Sequence, residues 1–365
     1  MRIIFTVTND LTYDQRMHRI CGTLAANGYK VTLVGRLQLN SKPLTGRAFR
    51  QKRLLCVFEK GFLFYAEYNL RLFLFLIFEP FNAVCSIDLD TLPAGCLASL
   101  LRGKKGVFDA HEYFTEVPEV VGRPFVRFFW NLVARACLPF YQYAYTVGPA
   151  LAQIFEEKYG LKFEVVRNVP VKKAQDLISP NLSPKQILYQ GALNQGRGIE
   201  IMLEAMQSLD NVQLVLAGEG DISATLRKKA INLKLGDRVL FLGYVKPEEL
   251  KKRTAVAWLG LNLLENKGLS YYNSLANKFF DCVQAGVPVL SMDFPEYRAL
   301  NKQYEVAILL KELSPESVSV AIQTMLRDNA LYEKLKQNCL IARKKWNWEI
   351  EQITLLKFWQ KVRDA

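Results

Sequence analysis

The strongest constraint on this chain is an alternation, kept up almost from end to end, of short apolar strands with longer stretches whose apolar residues recur at helical spacing. Residues 2–8 form the first strand. Met17, Ile20, Cys21 and Leu24 then mark a helix that Gly28 ends, and 30–35 is the next strand. Right-handed crossovers turn such a succession into a parallel sheet covered by helices. Further strands read at 54–58, 83–87, 106–109, 143–147 and 164–167. The pattern stops at 168–184, where prolines and polar residues leave little periodicity, and restarts with strands at 187–190, 212–217, 238–242, 256–264 and 287–291. A chain of 365 residues is long for a single core. The expectation is an α/β protein with two parallel-sheet domains, 1–168 and 185–345, joined by a linker at 169–184 and followed by a helix at 346–365.

Half of the residues are hydrophobic, enough to fill two cores, and the formal net charge is +13. Such a charge draws the chain toward nucleotide phosphates, nucleic acid or an acidic membrane surface. Nucleic acid drops out, because the sequence has no basic cluster or recognised motif for it. Seven cysteines at irregular positions, none in a C-x-x-C pair, read as reduced core residues of a cytoplasmic protein. The N-terminus reaches polar residues too early for a secretory signal. The longest uninterrupted apolar run, 72–78, falls far short of the ~20 residues that span a bilayer, so the chain is expected to be soluble or peripheral at the inner face of the membrane. One segment bears on the membrane directly. Residues 123–135 combine Arg123, Arg127 and Arg135 with Phe125, Phe128, Phe129 and Trp130, which suits either an in-plane helix on anionic lipid or a helix whose aromatic face packs on the sheet.

Candidate chemistry gathers at the carboxyl ends of the expected strands, where ligands of parallel sheets bind. Asn9, Asp10 and Asp14 follow the first strand, and either face a ligand or cap the next helix. Asp88-Leu-Asp90 follows the strand at 83–87. Carboxylates so spaced are common by chance, and the favoured role is to cap the helix near Leu92 and line the cleft rather than to hold metal. The strand at 106–109 delivers Asp109-Ala-His111-Glu112. His111, beside carboxylates at a strand end, is the better functional candidate of the two histidines; His18 falls on the first helix and reads as surface. In the second half, Gly191-Ala-Leu-Asn-Gln-Gly-Arg-Gly198 precedes a helix, and its glycines admit a close ligand while Arg197 adds a cation. Finally, 269–290 crowds polar residues ahead of a helix that carries Lys278 and ends at Gly286. Free N–H groups and an ammonium there favour an anion such as phosphate.

The stretches 9–17, 106–116, 187–198 and 269–290 resemble motifs of the retaining glycosyltransferases of family 4, which have the GT-B fold: two Rossmann-like domains whose sheets face each other across a cleft. The resemblance covers nearly the whole chain. Its most specific part is Asn277-Lys-Phe-Phe-Asp281 followed by Ala285-Gly-Val-Pro-Val289, which looks like the family's donor segment, where an acidic residue stands five places before the glycine, as Asp281 does. The family's usual form also has a glutamate eight residues earlier, a place that Asn273 takes here. The resemblance implies a nucleotide diphosphate sugar on the C-terminal domain. Gly191, Gly196, Arg197 and the N–H groups of Ala276, Asn277 and Lys278 would meet its diphosphate, and the backbone of Gly243, Tyr244 and Val245 its base. Asn273 would stand at the sugar hydroxyls and Asp281 at the ribose. It places a saccharide or lipid-linked acceptor at Asn9, Asp10, Asp14, Asp88 and Asp90 of the N-terminal domain, and makes His111, Arg197 and Lys278 the catalytic set. The final helix is expected to cross back onto the first domain. No cofactor or metal is expected beyond the donor, because Arg197 and Lys278 already supply positive charge to a departing diphosphate.

The expected activity is sugar transfer in cell-surface polysaccharide or glycolipid synthesis, with retention of configuration. Two other readings use the same residues: a nucleotide-sugar epimerase, which shares the architecture and needs no acceptor, and an inactive nucleotide-sugar-binding protein, which Asn273 in place of glutamate allows.

Overall fold

The computed structural model describes residues 1–172 and 183–365 and divides into two compact units, Met1–Arg167 with Gln352–Ala365, and Asn168–Glu351. Most of the linker expected at 169–184 lies outside the described residues.

The first unit begins with β1 (Arg2–Thr6), α1 (Gln15–Ala26), β2 (Lys30–Leu37), β3 (Arg50–Leu55), α2 (Gly61–Phe78), β4 (Ala83–Ile87) and α3 (Leu92–Leu101). It continues with β5 (Lys105–Ala110), α4 (Pro118–Val121), α5 (Pro124–Cys137), β6 (Tyr143–Thr146), α6 (Pro149–Tyr159) and β7 (Phe163–Val165). The seven strands are parallel, in the order β3-β2-β1-β4-β5-β6-β7. Because the order reverses between β1 and β4, the loops that follow these two strands leave in opposite directions and open a crevice at their carboxyl ends. Every residue of β4 is buried, as a central parallel strand covered on both faces requires.

Three expectations change here. The strand expected at 54–58 runs instead over Arg50–Leu55, paired with β2 from Thr32↔Arg50 to Leu37↔Leu55; a largely exposed edge strand lacks the apolar run by which strands are read. His18 is buried rather than surface, and its Nε2–H donates to the Leu11 carbonyl at 2.8 Å. Burial and the charge of Arg47 lower its pKa. The run 72–78 proves to be only the end of α2, which among the described residues is the one helix long and apolar enough to cross a membrane. Counting an unbroken run undercounted it, because Glu67, Asn69 and Arg71 interrupt the run without interrupting the helix. Phe64, Tyr68, Leu72 and Leu76 nonetheless pack α2 into the core, and the Tyr68 hydroxyl donates to Val7 O at 2.5 Å.

The second unit opens with β8 (Lys185–Gln190), α7 (Ile199–Ala205), β9 (Val212–Ala217), α8 (Ser223–Asn232), β10 (Val239–Gly243), α9 (Pro247–Val256), β11 (Leu259–Asn262) and α10 (Leu269–Tyr272). After these come α11 (Asn277–Gln284), β12 (Val289–Met292), α12 (Pro295–Gln303), β13 (Ala307–Leu310), α13 (Pro315–Arg327), α14 (Asn329–Ala342) and α15 (Trp348–Asp364). Its six parallel strands run β10-β9-β8-β11-β12-β13, with the reversal between β8 and β11. Strand β11 is shorter than expected because its first apolar residues close α9, and β13, four residues without alternation, went unread. From Gln352 onward α15 belongs to the first unit. There Trp359 is fully buried, 5.4 Å from the Phe5 ring, and Phe358 meets Tyr145 at 5.0 Å.

Candidate functional site

In the second unit the strand reversal brings the loop after β8 beside the loop after β11. The contact is close. Gly198 has φ +68°, and a Cβ there would lie 2.4 Å from the Leu263 carbonyl oxygen; in the loop after β9, a Cβ at Gly218 would lie 1.9 Å from Gly191 O. Glycine alone fits either place. The Glu265 N–H ties the two loops by donating to Gly196 O at 2.9 Å.

This packing holds two cations against aromatic faces. The Arg197 guanidinium lies 4.6 Å from the centre of the Tyr271 ring and Lys278 Nζ lies 4.0 Å from that of Tyr189. Lys278 is only 9% exposed, and among the described residues neither its Nζ nor Arg197 Nε has a hydrogen-bond partner. Leaving a buried ammonium without an acceptor is costly. Burial, and then the charge of Arg197, lower the Lys278 pKa to about 7. An oxyanion brought to Nζ supplies the missing acceptor and makes the charged form favourable again.

The start of α11 differs from expectation. The Ala276 N–H already donates to the hydroxyl of fully buried Tyr297 at 2.9 Å, so of the three expected N–H groups this one shapes the turn instead. Asn277 and Lys278 open the helix itself. Residues 269–272, read as polar loop, form the separate single turn α10, and Asn273 closes it, its Nδ2 donating to Leu269 O at 2.9 Å. Asp281 accepts from Gln190 Nε2 at 3.0 Å, and Gln190 Oε1 accepts from Thr254 at 2.7 Å, which fixes the carboxylate against the end of β8. Gly243 ends β10 with φ +66°, Tyr244 is exposed, and Val245 packs against the core.

In the first unit the loops after β1, β4 and β5 meet around His111. Fully buried Asp109 lies beside Ile87 of β4 in the sheet; its Oδ1 accepts from Arg16 Nη2 at 3.0 Å and its Oδ2 lies 3.1 Å from His111 Nε2. Arg16, itself buried, also donates to Val166 O at 3.1 Å. On the other side, Asp88 Oδ1 accepts the His111 N–H at 2.8 Å and Asp88 Oδ2 stands 3.9 Å from Nδ1. The imidazole therefore sits between two carboxyl groups. Burial opposes its charged form, but Asp109 and Asp88 outweigh burial and raise its pKa. Asp109 is held below the usual carboxylate range because Arg16 and His111 overcome its burial. Asp88, at φ +54°, is pushed up to about 8 by burial, with Glu112 and Asp90 adding to it. Burial pushes Asp90 up to about 6 against the hydrogen bond it accepts from Thr8 at 2.5 Å. Two carboxyl groups around one ring are thus driven to opposite protonation states at neutral pH.

Neither Asp88 nor Asp90 caps α3 as expected. The cap position is Thr91, whose hydroxyl bonds to Thr6 and to Ile87 O rather than to the helix. Asn9, Asp10 and Asp14 build their own loop: Asn9 Nδ2 donates to Asp14 at 2.6 Å, Asp10 accepts the Thr12 N–H at 2.9 Å, and Asp14 caps α1 by accepting from Met17 N–H at 2.9 Å. The reading from sequence missed Arg16, whose partner lies 93 positions away, and the faces of Tyr189 and Tyr271. No local pattern marks any of the three.

Over its full length the fold is similar to that of sucrose-phosphate synthase from Thermosynechococcus elongatus, with a TM-score of 0.81 at 19% identity, covering 100% of this chain and 98% of that one. It is similar also to Anabaena HepE solved in complex with UDP and glucose, with a TM-score of 0.74 at 13% identity and 100% of both chains covered. Residues 174–340 match the model of the family described as Glycosyl transferases group 1. The chain has the GT-B fold. A curated relative, the phosphatidyl-myo-inositol mannosyltransferase of Mycobacterium leprae, is 24% identical over 183 residues, 49% of this chain and 47% of that protein. The chain spans less than half the length of the curated relatives it matches. The family match takes in Arg197, Lys278 and Asp281, while the cluster around His111 lies outside it.

Proposed function

We propose that the chain moves a sugar from a nucleotide diphosphate donor, held by the second unit, to a hydroxyl of a saccharide or lipid-linked acceptor, held by the first. The observation that carries this is Lys278, a buried ammonium over an aromatic ring with no hydrogen-bond acceptor among the described residues. A diphosphate is the anion that such a site, with Arg197 near the same loops, is suited to hold. In the reaction the bond between sugar C1 and the diphosphate oxygen breaks, C1 bonds to the acceptor oxygen, and the acceptor proton passes to the departing diphosphate. Lys278, Arg197 and the Asn277 and Lys278 N–H groups stabilise the charge that grows on the leaving oxygen, which makes a divalent metal unnecessary. Asp281 receives the ribose hydroxyls, and His111 orients sugar hydroxyls. Asp88 and Asp90 meet the acceptor, Asp88 as a donor because it keeps its proton near neutrality. The family match and the UDP and glucose bound by HepE support the donor class, and the phosphatidylinositol named in the mycobacterial relative supports a glycolipid or polysaccharide product; retention of configuration and a place at the inner face of the membrane belong to the same proposal.

The test is incubation of purified protein with radiolabelled UDP-, GDP- and ADP-hexoses, with and without cell-envelope lipid and saccharide extracts, before and after EDTA. Label should enter an acceptor with its anomeric configuration kept, and most activity should survive EDTA. Interconversion of the donor sugar with no acceptor present would replace transfer by epimerisation. Loss to below about a tenth, restored by magnesium or manganese, would return the mechanism to a metal.

A further inference from the structure

We propose that the first unit docks on an anionic lipid bilayer through the outward face of α2, α3 and α5, with these helices lying in the membrane plane. The inference does not rest on the transfer reading. Helix α2 carries two apolar stripes. Phe64, Tyr68, Leu72 and Leu76 face the core. Two positions away, about 200° around the helix, Phe62, Leu70, Leu74 and Phe78 form the other stripe and are 67%, 60%, 48% and 83% exposed. A helix apolar on both sides normally lies wholly inside protein or lipid. Here the protein covers one side.

The exposed stripe continues onto its neighbours. The Phe62 ring meets Phe129 of α5 at 5.8 Å, and Tyr65 meets Trp130 at 5.1 Å, so α5 touches the start of α2, with α3 packed against both, and adds Phe125 and Phe128, 82% and 66% exposed. Leu97 and Leu101 of α3 are exposed as well. Single exposed apolar residues are ordinary, but a patch running over neighbouring helices marks an interaction surface. The two sequence readings of 123–135 thus both hold in part: Trp130 and Ala134 pack inward, and the phenylalanines face out.

Charge selects lipid as the occupant. The three helices contain a single carboxylate, Glu67, which is engaged by Arg71 and by the N–H groups of Val57 and Phe58. Against it stand Arg71, Arg127 and Arg135, and at the helix ends Lys60, Arg102, Lys104 and Arg123 outnumber Glu59 and Glu79. Arg127 pairs with buried Glu116, whereas Arg123 and Arg135 are exposed. An apolar face edged by cations complements acyl chains beneath anionic headgroups. A second copy of this chain would set the same cations against one another. Helix α2 does not span the bilayer, because its other side is the core of the unit.

Flotation of the full chain with vesicles of phosphatidylcholine, alone or mixed with phosphatidylglycerol, tests the proposal. The protein should float with the mixed vesicles, far less with the neutral ones, and less again at high salt. Replacing Leu70→Ser together with Leu74→Ser should cut the bound fraction by about tenfold while the melting temperature stays unchanged, since both side chains face outward. Arg123→Glu with Arg135→Glu should weaken binding to the mixed vesicles. Failure of the parent to float with anionic vesicles, or equal flotation of the serine variant, overturns the proposal. So does a concentration-dependent dimer, seen by light scattering, that the serine variant abolishes, because the face would then belong to a second copy.

Discussion

Lys278 offers the sharpest test of the phosphate site, because its proton should follow the donor. Free, the ammonium has a pKa lowered to about 7; beside a diphosphate the anion should restore it to its ordinary range or above. Half of the free molecules at pH 7 then lack the proton that the complex needs, and binding takes up about half a proton. Near pH 8.5 the uptake approaches one. Affinity should fall roughly 15-fold between pH 7 and 8.5, a window in which the diphosphate of a nucleotide sugar does not titrate. The assay is calorimetry with whichever nucleotide sugar gives the largest thermal shift, in two buffers of different ionisation enthalpy, which counts the protons directly. Lys278→Met should bind more weakly and with no pH dependence over the same range. A parent affinity constant within threefold from pH 7 to 8.5, with a heat of binding independent of buffer, would refute the reasoning.

The same shift has a consequence for stability. The folded pKa lies below the unfolded value of 10.5, so the unfolded chain binds the extra proton between about 7 and 10.5, and stability should rise with pH across that window. Below it the ammonium costs at most about 5 kcal/mol. Lys278→Met should therefore melt at a higher temperature than the parent at pH 7 while losing the donor, as expected where a strained charge serves binding.

Arg197→Ala should lower turnover about 10- to 150-fold, as loss of a charge-assisted hydrogen bond to phosphate implies, and leave the fold intact; activity within twofold of the parent, measured on folded protein, would remove Arg197 from the site. Arg16→Met leaves buried Asp109 with His111 as its one remaining charged contact and should cost up to about 3–5 kcal/mol in urea unfolding, most of it regained when Asp109→Leu is added; additive losses would mean that the pair is not coupled. Asp109→Asn should lower the His111 pKa in an NMR titration simplified by His18→Gln. The sign follows from the raised folded value: the charged ring contributes stability that is full below its unfolded pKa of about 6.5 and is lost as pH rises through the folded one. An unchanged titration in the asparagine variant would detach Asp109 from the ring.

What the sequence showed and what it hid separate along a physical line. Alternation marked the parallel strands, and glycines at 191, 196 and 198 marked the loop beside β11, because each is a constraint that a few neighbouring residues satisfy by themselves. The Lys278 ammonium was read correctly as a cation at a helix start, but nothing local announced that Tyr189, far off in sequence, would lie under it and bury it. Arg16 is the same case. Its neighbours Asp14 and Met17 reveal a helix start, while its purpose is a carboxylate on another strand. The Ala276 N–H was assigned to a ligand because a helix start leaves such groups free in general; only the fold brings the Tyr297 hydroxyl to take it.

The two strand reversals have opposite electrical characters. In the second, Arg197 and Lys278 stand as cations without enough carboxylate around them, and their cost is recovered only by an anion. In the first, Arg16 is already neutralised by Asp109, and Asp88, Asp90 and Glu112 leave the crevice rich in carboxyl oxygens around one imidazole. A diphosphate placed there would face Asp90 across low-dielectric surroundings, where like charges repel strongly. Hydroxyl groups suit it better: they can donate to Asp90 and accept from protonated Asp88 or from the His111 ring. Under the reading proposed above, the same carboxyl groups that repel a donor phosphate from the first unit suit it to an alcohol, so charge supports placing the donor on the second unit and the acceptor on the first.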